Sequence, residues 1–209
     1  MAGGTERRSH LGWFVKGLVS GENPLPSKDN GFDVEGLAVR ASSDGSTQLL
    51  LGLRGPVLRG FAVILELSPS ADGEEKLELG PLPGGGARYR KHFLDLRGLG
   101  VRDLGFVGED LWILGGPTMA LDGPVALFRW RAPLERLASG DTLTRLDGDR
   151  LKRELLLPFG DGDDHAEGFA LLPGGSPNTL ELFVVYDSPS EQRLVGAADV
   201  LGDVFALPP

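Results

Sequence analysis

Phe32-Asp33-Val34-Glu35-Gly36-Leu37-Ala38-Val39, followed by Leu49-Leu50-Leu51-Gly52-Leu53-Arg54-Gly55-Pro56, decides how the chain is read. It is a short apolar run opened by an acid-Gly pair, then a turn, then a second apolar run closed by a proline. The module returns as Val101-Arg102-Asp103-Leu104-Gly105-Phe106 with Leu111-Trp112-Ile113-Leu114-Gly115-Gly116-Pro117. A third copy is Ala166-Glu167-Gly168-Phe169-Ala170-Leu171 with Leu182-Phe183-Val184-Val185-Tyr186-Asp187-Ser188-Pro189. Aligning Glu35, Arg102 and Glu167 separates the copies by 67 positions (102 − 35) and 65 (167 − 102). A near-constant period of this kind marks an architecture of repeated supersecondary units.

Outward from the modules, Leu11–Leu18 is an expected strand and Ser20–Asn30 a loop. The strands of the first module join around Asp44-Gly45, a hairpin signal. Phe61–Leu67 supplies a third strand, Glu75–Leu79 reads as an edge strand, and Tyr89–Leu96 as an outer, partly exposed one. The second repeat follows the same order, with Val125–Arg131 third and Arg150–Leu157 outermost. Pro133–Ala138 is expected to form one or two helical turns. In the third repeat, Arg193–Val200 and Val204–Leu207 stand where the third and fourth strands belong. No stretch sustains a helical period, so the class is all-β.

Serial units of about four strands, each with an apolar inner hairpin, read as propeller blades, because a solitary four-stranded sheet would leave both faces wet. The expectation is one β-propeller-type domain over residues 1–209. Its three blades span about 32–96, 99–157 and 164–207, and the leading strand 11–18 comes from a preceding blade. Propellers have about 4–8 blades, so three form a partial propeller or part of a six-bladed assembly. The alternative is a β-sandwich of three hairpin-rich layers, which leaves the matched Arg54-Gly-Pro, Gly115-Gly-Pro and Asp187-Ser-Pro endings unexplained.

The 209 residues carry 21 basic and 30 acidic side chains, a formal net charge of −9, with the basic residues scattered. That argues against nucleic acid as a partner and against a membrane-surface patch. Cysteine is absent, which removes disulfides, thiolate metal sites and a Cys nucleophile. No secretory signal is recognised and no apolar run approaches the ~20 residues of a membrane helix, so a cytoplasmic location is the default expectation. Gly-x-Ser-x-Gly, P-loop, dinucleotide-loop and His-Glu-x-x-His motifs are all missing.

The segments Asp33–Ala38, Gly52–Pro56, Leu99–Leu104, Leu114–Met119, Ala166–Gly168 and Val185–Pro189 resemble an uncharacterised bacterial domain-of-unknown-function family of β-propellers. The resemblance runs from about Phe32 to Pro189 and implies that the chain corresponds to the family's C-terminal half, with further blades before it. It implies no activity. More distantly, the Glu-Gly-Leu opening is similar to inner strands of phytase-like and gluconolactonase-like propellers, whose channel-mouth carboxylates hold a divalent cation.

In an antiparallel pair the start of one strand lies beside the end of the next. Glu35 is therefore expected near Arg54, Arg102 near Gly115, and Glu167 near Asp187. Radial hairpins would collect Asp33, Glu35, Arg54, Arg102, Asp103, His165, Glu167 and Asp187 at one channel rim, with Arg102 between two blades that each present a Glu. Three readings of this rim stay open. It can be a charge-satisfied ring of Arg-carboxylate pairs. It can be a ligand site in which Asp33, Glu35, Glu167 and Asp187 hold Ca or Mg while Arg54 meets an anion. It can also supply a general acid or base from Glu35, Glu167 or His165. The acidic turn Asp161-Gly-Asp-Asp-His165 adds Asp164 as a candidate metal ligand, although its spacing is not that of an EF-hand. Of the other histidines, His10 lies in a polar N-terminus and His92 on an outer strand. Trp13, Trp112 and Trp130 read as packing residues. The expected function is binding of a small molecule or protein at the rim. The alternative is a metal-assisted (Ca/Mg) phosphoester or lactone hydrolase. Open blade edges predict a homodimer or missing N-terminal blades.

Overall fold

The computed structural model describes residues 25–27, 29–41, 45–71, 77–82, 86–119, 122–133, 142–144 and 150–207. The expected strand at Leu11–Leu18, Trp13 and most of the expected helical turn at Pro133–Ala138 lie outside them. In chain order the strands are β1 (Asp33–Ala41), β2 (Thr47–Gly55), β3 (Ala62–Leu67), β4 (Pro69–Ala71), β5 (Leu77–Leu79), β6 (Tyr89–Leu94), β7 (Gly100–Val107) and β8 (Asp110–Gly116). They continue as β9 (Val125–Trp130), β10 (Thr142–Thr144), β11 (Leu151–Leu157), β12 (His165–Pro173), β13 (Leu180–Asp187), β14 (Leu194–Val195), β15 (Asp199–Val200) and β16 (Asp203–Ala206). The described residues are all-β apart from a single 3-10 turn, Glu191–Arg193. None of their helices is long and apolar enough to cross a membrane.

Each repeat makes one antiparallel sheet, and none of the sheets closes on itself. The first runs β1-β2-β3-β6 and takes β10 of the second repeat as a fifth, parallel strand, the second runs β7-β8-β9-β11 and the third β12-β13-β16. Three expectations are corrected here. Glu75–Leu79 is not an edge of the first sheet, because β5 pairs with β4 in a separate side hairpin. Arg193–Val200 is not a strand of the third sheet, because β14 and β15 pair only with each other, and β16 alone continues that sheet. The outer strand Tyr89–Leu94 is mostly buried, since β10 adds alongside β6 in parallel and Arg90 and His92 turn inward.

The sheets stack through alternate side chains, as a strand's period of two dictates. Ala38, Leu50, Ile64 and Leu94 of the first sheet share a core with Val101, Leu104, Ile113, Phe128 and Trp130 of the second. The opposite face of the second sheet (Trp112, Leu114, Leu127, Leu157) packs on Ala166, Leu182 and Val184 of the third, so both described tryptophans are core residues. Glycine makes the first contact possible: a Cβ on Gly52 would stand 2.3 Å from Val101 Cγ1, and one on Gly36 2.8 Å from Leu104 Cγ. The glycines of the repeat are places where one sheet meets the next. Close packing of this kind carries most of the stabilisation available to an all-β chain.

Candidate functional site

The three positions that define the repeat share a backbone peculiarity. In the first sheet Val34 pairs with Leu53 and Gly36 with Gly52, so the register passes over Glu35. In the second, Val101 pairs with Gly115 and Asp103 with Leu114, leaving out Arg102. In the third, Ala166 pairs with Tyr186 and Gly168 with Val185, leaving out Glu167. Glu35, Arg102 and Glu167 are thus each the extra residue of a β-bulge, and a bulge re-aims the side chain it carries. Periodicity alone would not reveal this, because the bulge breaks the alternation that periodicity relies on.

The re-aimed side chains meet. Arg54 Nη1 donates to Glu35 Oε1 at 2.8 Å. Arg102 Nε stands 3.8 Å from Glu35 Oε2, and Arg102 Nη1 donates to Glu167 Oε1. The result is an alternating row, Arg54–Glu35–Arg102–Glu167, that crosses all three sheets. The two guanidiniums are the buried members, with side chains 3 % and 6 % exposed, while Glu35 is 21 % and Glu167 36 % exposed. Beyond the carboxylates, Arg54 donates to the Pro117 and Met119 carbonyls at 3.3 Å each, and Arg102 Nη2 to the Pro117 carbonyl at 3.2 Å. Arg54 is therefore engaged by one carboxylate and two carbonyls, not held open for an anion as one sequence reading had it.

The remaining expected rim residues divide. Asp33 and Asp187 lie at the same strand ends but make no ion pair with a described residue, and Asp187 faces His165 across the ladder instead of Glu167. Asp103 turns away and latches the second sheet to the third, accepting Phe169 N–H at 3.0 Å and Leu104 N–H at 2.8 Å. Burial pushes its carboxyl above the usual range, and those two bonds only partly oppose the shift. His165 Nε2 lies 2.9 Å from Asp122 Oδ1, and Asp122 Oδ2 accepts Gly162 N–H. The His165 bond, then the Gly162 N–H, hold Asp122 below the ordinary carboxylate range.

Asp164 does not join Glu35, Glu167 and Asp187. Its Oδ1 accepts Arg193 Nε at 2.8 Å and Ser190 N–H at 2.9 Å, while Arg193 Nη2 reaches Asp203 Oδ2 at 2.7 Å. Arg193 also lies over the Tyr186 ring, 3.8 Å from its centroid, and Tyr186 donates its hydroxyl to Asp203. Burial and then the Asp203 carboxylate push the Tyr186 phenol up. This cluster pins the Ser190–Gly202 segment to the third sheet and borders a recess of about 350 Å³. Among the described residues no three His, Asp or Glu side chains are grouped to hold a metal ion.

Sequence reasoning missed a fully buried polar cluster. Glu66 accepts from Arg90 Nη1 at 2.8 Å and Gln48 Nε2 at 3.3 Å, and lies 3.0 Å from His92 Nε2. The His92 ring meets Trp130 edge-on at 5.1 Å between centroids. One signal was available: Glu66 and Arg90 are directly cross-strand once β3 and β6 pair, and opposite charges are favoured there.

A family model described as "Protein of unknown function (DUF3616)" matches residues 5–203. The chain belongs to this family. No curated protein and no solved structure matches it. The match to this family of unknown function covers the first two sheets, β12 and β13 of the third and the whole charged row, so the row lies within what the family model describes.

Proposed function

We propose that the three sheets are consecutive blades of a propeller-type module and that the rim they share binds a small molecule or a protein segment through a positively charged group. The observation that carries this reading is the trio of bulges, which sends Glu35, Arg102 and Glu167 to one row although each belongs to a different sheet. The accessible members of that row are its carboxylates, while the guanidiniums are buried behind them and capped by the Pro117 and Met119 carbonyls. Exposed Asp187 extends the acidic character beyond Glu167. An ammonium or guanidinium group approaching Glu167 and Asp187 meets carboxylate acceptors, whereas an anion meets repulsion there.

The test is a titration of the full chain with matched probes: putrescine and a Lys-rich peptide against succinate and a Glu-rich peptide, followed by calorimetry. Binding of the cationic probes alone, weakened by Glu167→Gln or Asp187→Asn, is expected. Preference for the anionic probes, or cationic binding indifferent to both substitutions, would refute the reading.

A further inference from the structure

Leu37, Leu104 and Phe169 hold the same place in the three repeats, two residues after the bulge. Leu104 is 5 % exposed because it sits over Gly36 and Gly52 of the sheet before it. Phe169 likewise sits over Gly105, with Cζ 3.4 Å from where a Cβ would stand. Two residues further on, Phe106 and Leu171 are also packed into these contacts. Their counterparts on the first sheet are covered by no sheet among the described residues: Leu37 is 54 % and Val39 56 % exposed.

The complementary surface is at the other end of the stack. Gly36 and Ala38 of the first sheet, and Asp103 and Gly105 of the second, face the next sheet. The equivalent positions of the third sheet are Gly168 and Ala170. Ala170 is exposed, and Leu172, Val185 and Val204 are 40–56 % exposed around it. The chain makes the same knob-on-small-residue contact twice internally, and among the described residues it leaves Leu37 and Val39 exposed on one side and Ala170 exposed among Leu172, Val185 and Val204 on the other.

We propose that two copies of this chain pair reciprocally, Leu37 and Val39 of each seating on the Ala170 face of the other, where Val185 stands over Gly168 and adds apolar surface. The partner is a second copy because the same repeat positions already form this contact in its first-to-second and second-to-third sheet junctions. The contact is heterologous, and two of them close a ring of six sheets. This inference stands apart from the ligand reading of the rim: either can fail alone.

Light scattering on the full chain, from micromolar to submillimolar concentration, tests it. The expected mass is twice 22.2 kDa. Leu37→Asp and Ala170→Asp, each at an exposed position, are expected to run at the single-chain mass with unchanged circular dichroism. An equimolar mixture of the two is expected to return to the dimer mass, because one intact face of each kind remains. A parent that stays monomeric, a dimer that survives both substitutions, a mixture that stays monomeric, or a mass that grows without limit would each overturn the proposal.

Discussion

Removing the charge of Arg102 while keeping its stem separates the ionic role from packing. Arg102 Cγ lies over Gly116, so Arg102→Met retains the aliphatic contact and deletes the guanidinium between Glu35 and Glu167. Breaking a buried ion pair by removing one partner costs about 3–5 kcal/mol. Here Glu35 keeps Arg54, and Glu167 is about one-third exposed, so the cost is discounted to roughly 2 kcal/mol. For a chain of this length that corresponds to a fall in Tm of about 4–8 °C. The double variant Arg102→Met/Glu167→Gln no longer strands a charge and should recover about half of the loss. Thermal melts followed by circular dichroism and by fluorescence of the core tryptophans read the four corners of the cycle. If Arg102→Met melts with the parent, or if the double variant is as unstable as the sum of the singles, the row does not couple the sheets and the reasoning fails.

Two further outcomes follow from the packing and from the Arg193 cluster. Gly52→Ala should cost about 1–3 kcal/mol or more, since its Cβ would overlap Val101. Adding Val101→Ala should restore part of the loss, whereas independent effects in urea melts would remove the sheet-to-sheet account. The second concerns acid. The Arg193 hydrogen bond, against burial and aided by Tyr186, holds Asp203 below its ordinary value. At Asp164 burial is outweighed by Ser190 and Arg193 with the same result. Groups with depressed folded pKa values contribute stability that is present above the unfolded carboxylate range, about pH 4, and lost as pH falls through the depressed values. The Ser190–Gly202 segment should therefore loosen before the sheets do as pH drops below 4. Amide exchange at Leu201, bonded to the Arg193 carbonyl, reports this. An Arg193→Leu variant that keeps the same acid response would contradict it.

The repeat, the all-β class and the antiparallel inner hairpins were legible in residue order, because strand period and turn chemistry are local properties. The ion pair of Glu35 with Arg54 was also legible, since hairpin pairing places one strand's start beside the other's end. Arg102 was correctly placed between two glutamates by the repeat alone. Asp103 was not, because a bulge turns consecutive side chains in unrelated directions and nothing in the string marks where it falls. Asp164 was grouped with the wrong partners for another reason: Ser190 and Arg193 reach it from a later segment, which the Arg193–Asp203 pair ties back to the third sheet. The buried Glu66–Arg90–His92 cluster looked like an ordinary charged outer strand until β6 acquired a neighbour on its far side.

By itself the sequence determined that a hairpin is copied three times and that each copy carries an ionic residue at the same place. Only the tertiary structure decided that these residues become bulges converging on one row, that arginines fill its buried places and carboxylates its open ones, and which glycines receive a neighbouring sheet. The division is physical. Hairpins form between residues close along the chain, whereas the row and the sheet contacts join residues about 65 positions apart, whose meeting depends on how far each sheet turns against the last.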